Sequence, residues 1–291
     1  ALTWQMAAMW IIGGVMIYLA ICKEMEPTLL LPMGFGCILC NLPNSGAVEV
    51  LETLFQAGVA NELFPLLLFI GIGAMIDFGP LLADPKLLLF GAAAQFGIFF
   101  TLSMASLFGF ELRDAASIAI IGAADGPTSI FVANVLKSNY TAAIIVAAYS
   151  YMALVPIVQP SLSETAQNVL ANLISLMLGL TVAVRMQAAS FLVPETLMIL
   201  GLGLIAFMFD TFGGVLFGKL INLFAKKKIN PMIGAAGISA FPMSSRVIAK
   251  MAKEEDPYNF ILMQAAGANV AGQVASVIAG GIILALVGPL V

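Results

Sequence analysis

Residues 120–130 read Ile-Ile-Gly-Ala-Ala-Asp-Gly-Pro-Thr-Ser-Ile, so the carboxylate of Asp125 lies between a small-residue run and Gly126-Pro127, inside an otherwise apolar segment. Proline removes a backbone donor and glycine weakens a helix, so Gly126-Pro127 predicts a break in any helix that passes through. The break brings main-chain carbonyls, main-chain N–H groups and one acid together. A charged aspartate inside a span costs about 2.5–3.5 kcal/mol on insertion scales, which makes Asp125 a functional candidate. Thr128 and Ser129 place two hydroxyls within a turn of it. Asp125 is also a natural N-cap for a half-helix starting at Pro127, and capping and ion binding are compatible.

The surroundings set the class. Of 291 residues, 61% are hydrophobic and only 10% charged, with a mean hydropathy of +1.05. This composition predicts an all-α polytopic protein of the lipid bilayer rather than a soluble domain. The net charge of -4 is small, and no basic face for nucleic acid is visible. Histidine is absent, which excludes histidine acid/base catalysis and histidine metal sites and leaves ion chemistry to oxygen ligands. Cys37 and Cys40 form a C-x-x-C with no second pair to complete a metal site, so they are read as small apolar packing residues.

Taken outward from the break, Leu87–Phe110 reads as a full span before it and Ala142–Val158 as a span after it, with Tyr149 and Tyr151 inside. Upstream, Trp4–Ile21 spans, Leu29–Leu42 with Pro32, Gly34 and Gly36 reads as broken or tilted, Pro43–Glu62 as loop or surface helix, and Leu63–Ile76 as a further apolar segment. Downstream come Val169–Val184, Leu197–Leu223 with a lone Asp210, a second glycine- and proline-broken segment at 230–248, and a last long run, Phe260–Leu290. The chain divides into an N-terminal part at 1–62, a first unit at 63–160 with its break at 115–136, and a second unit at 161–291 with its break at 230–248.

The two units overlay. Ala74, Pro85, Gly91 and Gly122-Ala123-Ala124 match Ala183, Pro194, Gly201 and Gly234-Ala235-Ala236 at an offset of about 110 residues. The loop before the first break, Glu111-Leu112-Arg113-Asp114, is slightly acidic, and its counterpart is Lys226-Lys227-Lys228. By the positive-inside rule those loops face opposite sides, which predicts transporter-like inverted repeats with the two discontinuous segments at their interface. Two apolar segments precede the first unit, whereas almost nothing precedes the second between Pro160 and Val169. Either the second copy lost its pair or a stretch is absent at that junction, and the expectation is an absent stretch.

In hydrocarbon, unwound backbone is tolerated only where it is buried in protein or lines a polar cavity, so the broken segments mark the binding site. Asn230, Ser239, Ser244, Ser245, Asn269, Gln273 and Ser276 offer neutral oxygens suited to a monovalent cation, and no cluster of carboxylates points to calcium or zinc. Arg246 either holds an anionic substrate or snorkels to the interface. Tyr151 is either a donor in the cavity or a belt residue, its place inside the run favouring the cavity. Asp210 is either functional or held by a structural partner, while Asp77 and Asp84 fall at span ends where a charge is cheap.

Four motifs carry a resemblance: Gly122-Ala123-Ala124-Asp125-Gly126-Pro127-Thr128, the run Ala148-Tyr149-Ser150-Tyr151-Met152-Ala153-Leu154-Val155-Pro156, Lys228-Ile229-Asn230-Pro231, and Asn269-Val270-Ala271-Gly272. The chain resembles the beta subunit of sodium-pumping biotin-dependent decarboxylases, the membrane subunit of the oxaloacetate, methylmalonyl-CoA and glutaconyl-CoA enzymes. The resemblance implies decarboxylation of carboxybiotin, consumption of a proton from the outer side, and export of sodium ion. It places Asp125 at the centre of sodium and proton binding, with Tyr151, Ser239 and Arg246 in catalysis. Arg246 and Asn230 would meet carboxybiotin, and Asp125, Thr128, Asn230, Gly234, Ser239 and Asn269 would meet sodium. It also implies partners: a biotin carrier protein, since no Met-Lys-Met attachment sequence is present here, a carboxyltransferase subunit, and a small membrane anchor subunit. The expected setting is a homo-oligomer within a complex in the inner (plasma) membrane of a bacterium. Members of that family run longer after the position of Pro160. A sodium-coupled secondary transporter of a small organic anion is the alternative that the same residues permit.

Overall fold

The computed structural model describes residues 2–23, 27–154, 169–225, 228–240 and 243–291. The junction at Pro160 and residues 161–167, Lys226-Lys227 and Pro242 of the sequence reading lie outside them. Every regular element among the described residues is helical. Four are long and apolar enough to cross a membrane: Trp4–Cys22, Leu87–Leu107, Pro194–Phe224 and Leu262–Leu290. A fifth candidate is the pair Ala47–Ala60 and Leu63–Gly71, bent by 58°. The chain is thus a multi-pass α-helical membrane protein.

Helices α1 (Trp4–Cys22) and α2 (Pro27–Cys40) pack on one another, and α2 packs on α11 (Val169–Val182). The sequence reading expects α2 to be broken or tilted; it is not broken, running uninterrupted through Pro32. Proline removes only the bond to the carbonyl four residues back, in the first turn of this helix. Its glycines serve close approach instead: a Cβ at Gly34 would stand 2.7 Å from the Gly13 carbonyl oxygen, and one at Gly36 would stand 3.0 Å from that of Leu180. Small residues drive helix association in lipid through such contacts. Asn41, buried beyond the end of α2, donates to the carbonyls of Cys37 and Met186, both at 2.8 Å, and accepts from the Ala188 N–H at 2.7 Å. Asn41→Leu should remove the partner of three main-chain groups at once and lower stability by about 2–4 kcal/mol, measured as thermal unfolding in detergent; a change under about 0.5 kcal/mol contradicts this role.

The stretch expected as loop or surface helix forms α3 (Ala47–Phe55), closed by a π turn at Gln56–Ala60, and buries Leu51 and Phe55. α4 (Leu63–Met75) and the short α5 (Gly79–Ala83) follow. The span expected at Leu87–Phe110 is itself interrupted: α6 (Leu87–Ala93) and α7 (Phe96–Leu107) are separated at Ala94-Gln95. The Asp210 carboxylate, far along the chain, accepts from the Ile98 N–H at 3.2 Å, a donor it shares with the Gln95 carbonyl, and so supports the start of α7.

The first broken segment consists of α8 (Leu112–Ala119), a 3-10 turn at Ile120–Ala123, and α9 (Gly126–Val135), with α10 (Thr141–Leu154) after it. The second half runs through α11, the short α12 (Ala188–Phe191), the long α13 (Pro194–Phe224), a 3-10 segment at Pro231–Gly237, α14 (Met243–Glu255) and α15 (Leu262–Val287). α13 shows how these helices divide their faces. Leu204, Met208, Phe212 and Leu216 form an exposed apolar row every fourth residue, suited to lipid. Ala206, Asp210, Gly213, Gly214 and Gly218 form a buried, mostly small-residue row, against which the second broken segment and α7 lie.

Candidate functional site

The first break is a main-chain event. Ala124 adopts φ +52°, in the left-handed region that costs an L-residue roughly 1–2 kcal/mol. The chain therefore reverses between the 3-10 turn and α9, and Asp125 becomes the N-cap of α9. Its carboxylate accepts from the Thr128 hydroxyl at 2.7 Å and from the Thr128 N–H at 3.4 Å. Asp125 is 5% exposed and has no basic residue paired with it among the described ion pairs. Ser129 donates its hydroxyl to the carbonyls of Asp125 at 2.9 Å and Ile120 at 3.4 Å, which satisfies acceptors that the break releases.

The second break meets the first. The Ser239 hydroxyl donates to the Ala123 carbonyl, one residue from the left-handed turn. The carbonyls on the Ser239 side are served by neighbouring helices: Asn269 of α15 donates to Ile238 O at 2.6 Å, Gln273 of α15 donates to Ser239 O, and Ser244 of α14 donates to Ala236 O at 3.1 Å. The Asn269 carboxamide is thereby oriented with its NH2 group on a carbonyl, and its Oδ1 is buried without a partner. Ala94, Ala124, Ile238 and Ala240 form a small apolar cluster, so the interruption at Ala94-Gln95 reaches the same place as the other two. Here too the amide points its NH2 at a carbonyl, Gly91 O at 3.0 Å, and leaves Oε1 buried and unpartnered.

Of the residues singled out in the sequence, Asp125, Thr128, Ser239 and Asn269 are thus brought to the crossing of the breaks. Asn230 sits at the far end of the second break and spends its side-chain oxygen as an N-cap, accepting from Met232 N–H at 2.9 Å. Gly234 lies where the second break presses main chain to main chain on Gly214 of α13; a Cβ at Gly234 would meet the Gly214 carbonyl and stand 2.9 Å from the Val215 nitrogen. Arg246 is half-buried in the first turn of α14. Tyr151 is directed elsewhere: its hydroxyl donates to the Leu200 carbonyl of α13 and its ring lies over Gly203. Gln95 and Tyr149 are polar residues at or beside the crossing that carry no assigned role in the sequence reading, whereas Gln273, offered there as a neutral oxygen ligand, turns its NH2 group to the Ser239 carbonyl. Asp210, 1% exposed, has its second carboxylate oxygen turned towards Gly122 of the first break.

The donor set consists of one carboxylate, hydroxyls and carboxamide oxygens, without sulfur or nitrogen. No group of three His, Cys, Asp or Glu side chains is placed to hold a metal among the described residues. Hard neutral oxygens with a single negative charge suit a monovalent cation rather than calcium or a transition metal. An apolar cavity of about 480 Å3 between α4, α9 and α15 ends on Thr128, with Leu66, Phe69, Phe131 and Gly280 among its walls.

The sequence pattern of the family described as Na+-transporting oxaloacetate decarboxylase beta subunit matches residues 5–163 and 161–287. The chain is 41% identical over 355 residues to the glutaconyl-CoA decarboxylase subunit beta of Acidaminococcus fermentans, covering 99% of this chain and 95% of that one. It is 40% identical over 351 residues to the methylmalonyl-CoA decarboxylase subunit beta of Veillonella parvula, with 98% and 94% covered. It is 36% identical over 413 residues to the probable oxaloacetate decarboxylase beta chain of Vibrio cholerae, with 97% and 95% covered. Matched over nearly its whole length, with its buried aspartate at crossed helix breaks, the chain belongs to the family of Na+-transporting oxaloacetate decarboxylase beta subunits.

Proposed function

We propose that this subunit decarboxylates carboxybiotin, delivered on a biotin carrier protein, and couples that reaction to export of sodium ion with uptake of one proton. The observation that carries the reading is the crossing itself: a buried, unpaired Asp125 at the first break, bonded through Ala123 and Ser239 to a second break with orphaned amide oxygens around it. In this reading Asp125, Thr128, Ser239 and Asn269 hold sodium, and Asn230 and Gly234 shape the second break that carries Ser239. Asp125 alternates between ion and proton. Loss of carbon dioxide from the biotin nitrogen returns the bonding electrons to that nitrogen, which takes up the proton. The reaction therefore needs positioning and a proton supply. Carboxybiotin approaches from the side of Lys226-Lys227-Lys228, where positive charge favours an anion, and Arg246 orients its carboxylate. Tyr151, tied to Leu200 of α13, acts by holding α10 against α13 while the site changes occupancy.

The same reading treats the two halves as inverted repeats that move against one another. The recurrence of long helix, short helix, long span, break and long helix in both halves supports this, as does the contrast in sequence between the slightly acidic stretch at 111–114, which opens α8 rather than forming the expected loop, and the basic stretch at 226–228. The family pattern matches in two pieces that meet at residues 161–163, and the alignments with relatives run over more positions than the 291 residues of this chain. Both facts support a stretch absent at that junction. The further partners proposed are a carboxyltransferase subunit and a small membrane anchor subunit, in a bacterial inner membrane with more than one copy of this chain per complex.

The test is sodium uptake into vesicles holding the assembled complex, with carboxylated biotin carrier supplied outside. Carbon dioxide release that requires sodium, together with sodium accumulation inside, is the expected result. Sodium movement driven by an organic anion, with no need for carboxylated biotin, would instead establish the secondary transporter.

A further inference from the structure

Helix α10 carries two tyrosines whose surroundings differ. Two residues along an α-helix turn a side chain by about 200°, so Tyr149 and Tyr151 leave α10 in nearly opposite directions. Tyr151 reaches α13 and gives its O–H to a main-chain carbonyl. Among the described residues Tyr149 is the largest fully buried side chain, and its hydroxyl has no hydrogen-bond partner there. Its ring lies on Gly126, the first residue of α9: a Cβ added there would stand 2.5 Å from Cε1 and Cζ and 2.9 Å from Cε2. Gly126 follows Asp125 directly, and the Asp125 carboxylate is close enough to act electrostatically on the Tyr149 hydroxyl. A buried O–H with both donor and acceptor capacity unmet is rare, because desolvating it without a partner costs about 1–3 kcal/mol. That cost is offset when the group has a ligand in one state of the protein. The ring is fixed by packing on Gly126, the residue after Asp125, so the hydroxyl is placed beside the first break at little entropic cost.

We propose that the Tyr149 hydroxyl is a direct oxygen ligand of the monovalent cation that Asp125 binds. The proposal rests on the sodium reading above. With the ion in place, Tyr149 presents a lone pair to it beside the Asp125 carboxylate and the Thr128 hydroxyl. Tyr149 stays protonated throughout, so its part in binding moves no proton between the two groups.

The experiment is equilibrium binding of radioactive sodium to the detergent-solubilised, assembled complex, with near-ultraviolet difference absorption of tyrosine read in parallel. Tyr149→Phe removes one oxygen and leaves the ring on Gly126, so sodium affinity should fall about tenfold, the effect of one good neutral contact, while thermal unfolding without sodium stays at the parental temperature. Sodium should perturb tyrosine absorption in the parent and in Tyr151→Phe but not in Tyr149→Phe. Unchanged affinity in Tyr149→Phe, or loss of the perturbation in Tyr151→Phe, overturns the proposal and leaves the sodium reading standing. Should Tyr149→Phe not assemble, the Tyr151→Phe spectrum alone decides in the same two directions. A parent that binds no sodium at all overturns the sodium reading and this proposal with it.

Discussion

Asp125→Asn is expected to weaken sodium binding by about 10²–10³-fold while leaving the fold intact, because asparagine and aspartate are equally good N-caps but only aspartate brings a charge. Asparagine keeps one oxygen to accept from the Thr128 N–H, so α9 keeps its start, while the Thr128 hydroxyl, which donates to the other carboxylate oxygen, turns to accept from the new NH2 group. What disappears is the one negative charge of the crossing, in a buried place where an ion has no water to replace it. Sodium titration of carbon dioxide release by the assembled complex measures the effect, with thermal unfolding as the check on the cap. Asp125→Ala should lose both functions and show a lowered unfolding temperature as well. If Asp125→Asn retained the parental sodium dependence, Asp125 would be a cap and nothing more.

The second large effect is expected at a residue with no side chain. Gly234→Ala places a methyl group against the Gly214 carbonyl and the Val215 nitrogen of α13, where the atoms met are main chain and cannot rotate away. Overpacking of this kind costs about 1–3 kcal/mol, and it pushes the second break off α13. Ser239 lies five residues further along, so its bond to Ala123 is strained by the same displacement. Gly214→Ala, which puts the methyl group on the other side of the contact, should give a comparable loss in thermal unfolding and in sodium affinity. Were both variants as stable and as sodium-responsive as the parent, main-chain contact between α13 and the break would be irrelevant to the site.

The two breaks were legible in the sequence because each is a local contradiction: glycine, proline and polar residues inside an apolar run. The pairing of Asp125 with Thr128 was legible for a related reason, since an N-cap finds its partners within three residues. Other features had remote causes. The interruption at Ala94-Gln95 draws support from Asp210, which is 112 residues from Ile98 and reaches it only once α13 is packed on α7. The glycines of α2 carry the same composition signal as those of the true breaks but spend it on contact with α1 and α11, a difference that composition does not encode. The choice between Tyr149 and Tyr151 turns on how α10 is rotated about its own axis. A run that is apolar all round gives no moment from which to read that rotation.

The bond between the two breaks has a mechanical meaning. The second break is seated on α13 through Gly214 and Gly234 and on α15 through Gly237 and Gly272, peptide against peptide, so there it moves only as its neighbours move. Between the breaks themselves lie one serine hydroxyl and a few methyl-sized side chains. Separating them costs about one neutral hydrogen bond, roughly 1 kcal/mol, plus the contacts of small groups. In the function proposed above, the cation pathway would run along this lightly held seam, a latch that thermal motion could open and an ion or a proton could hold shut.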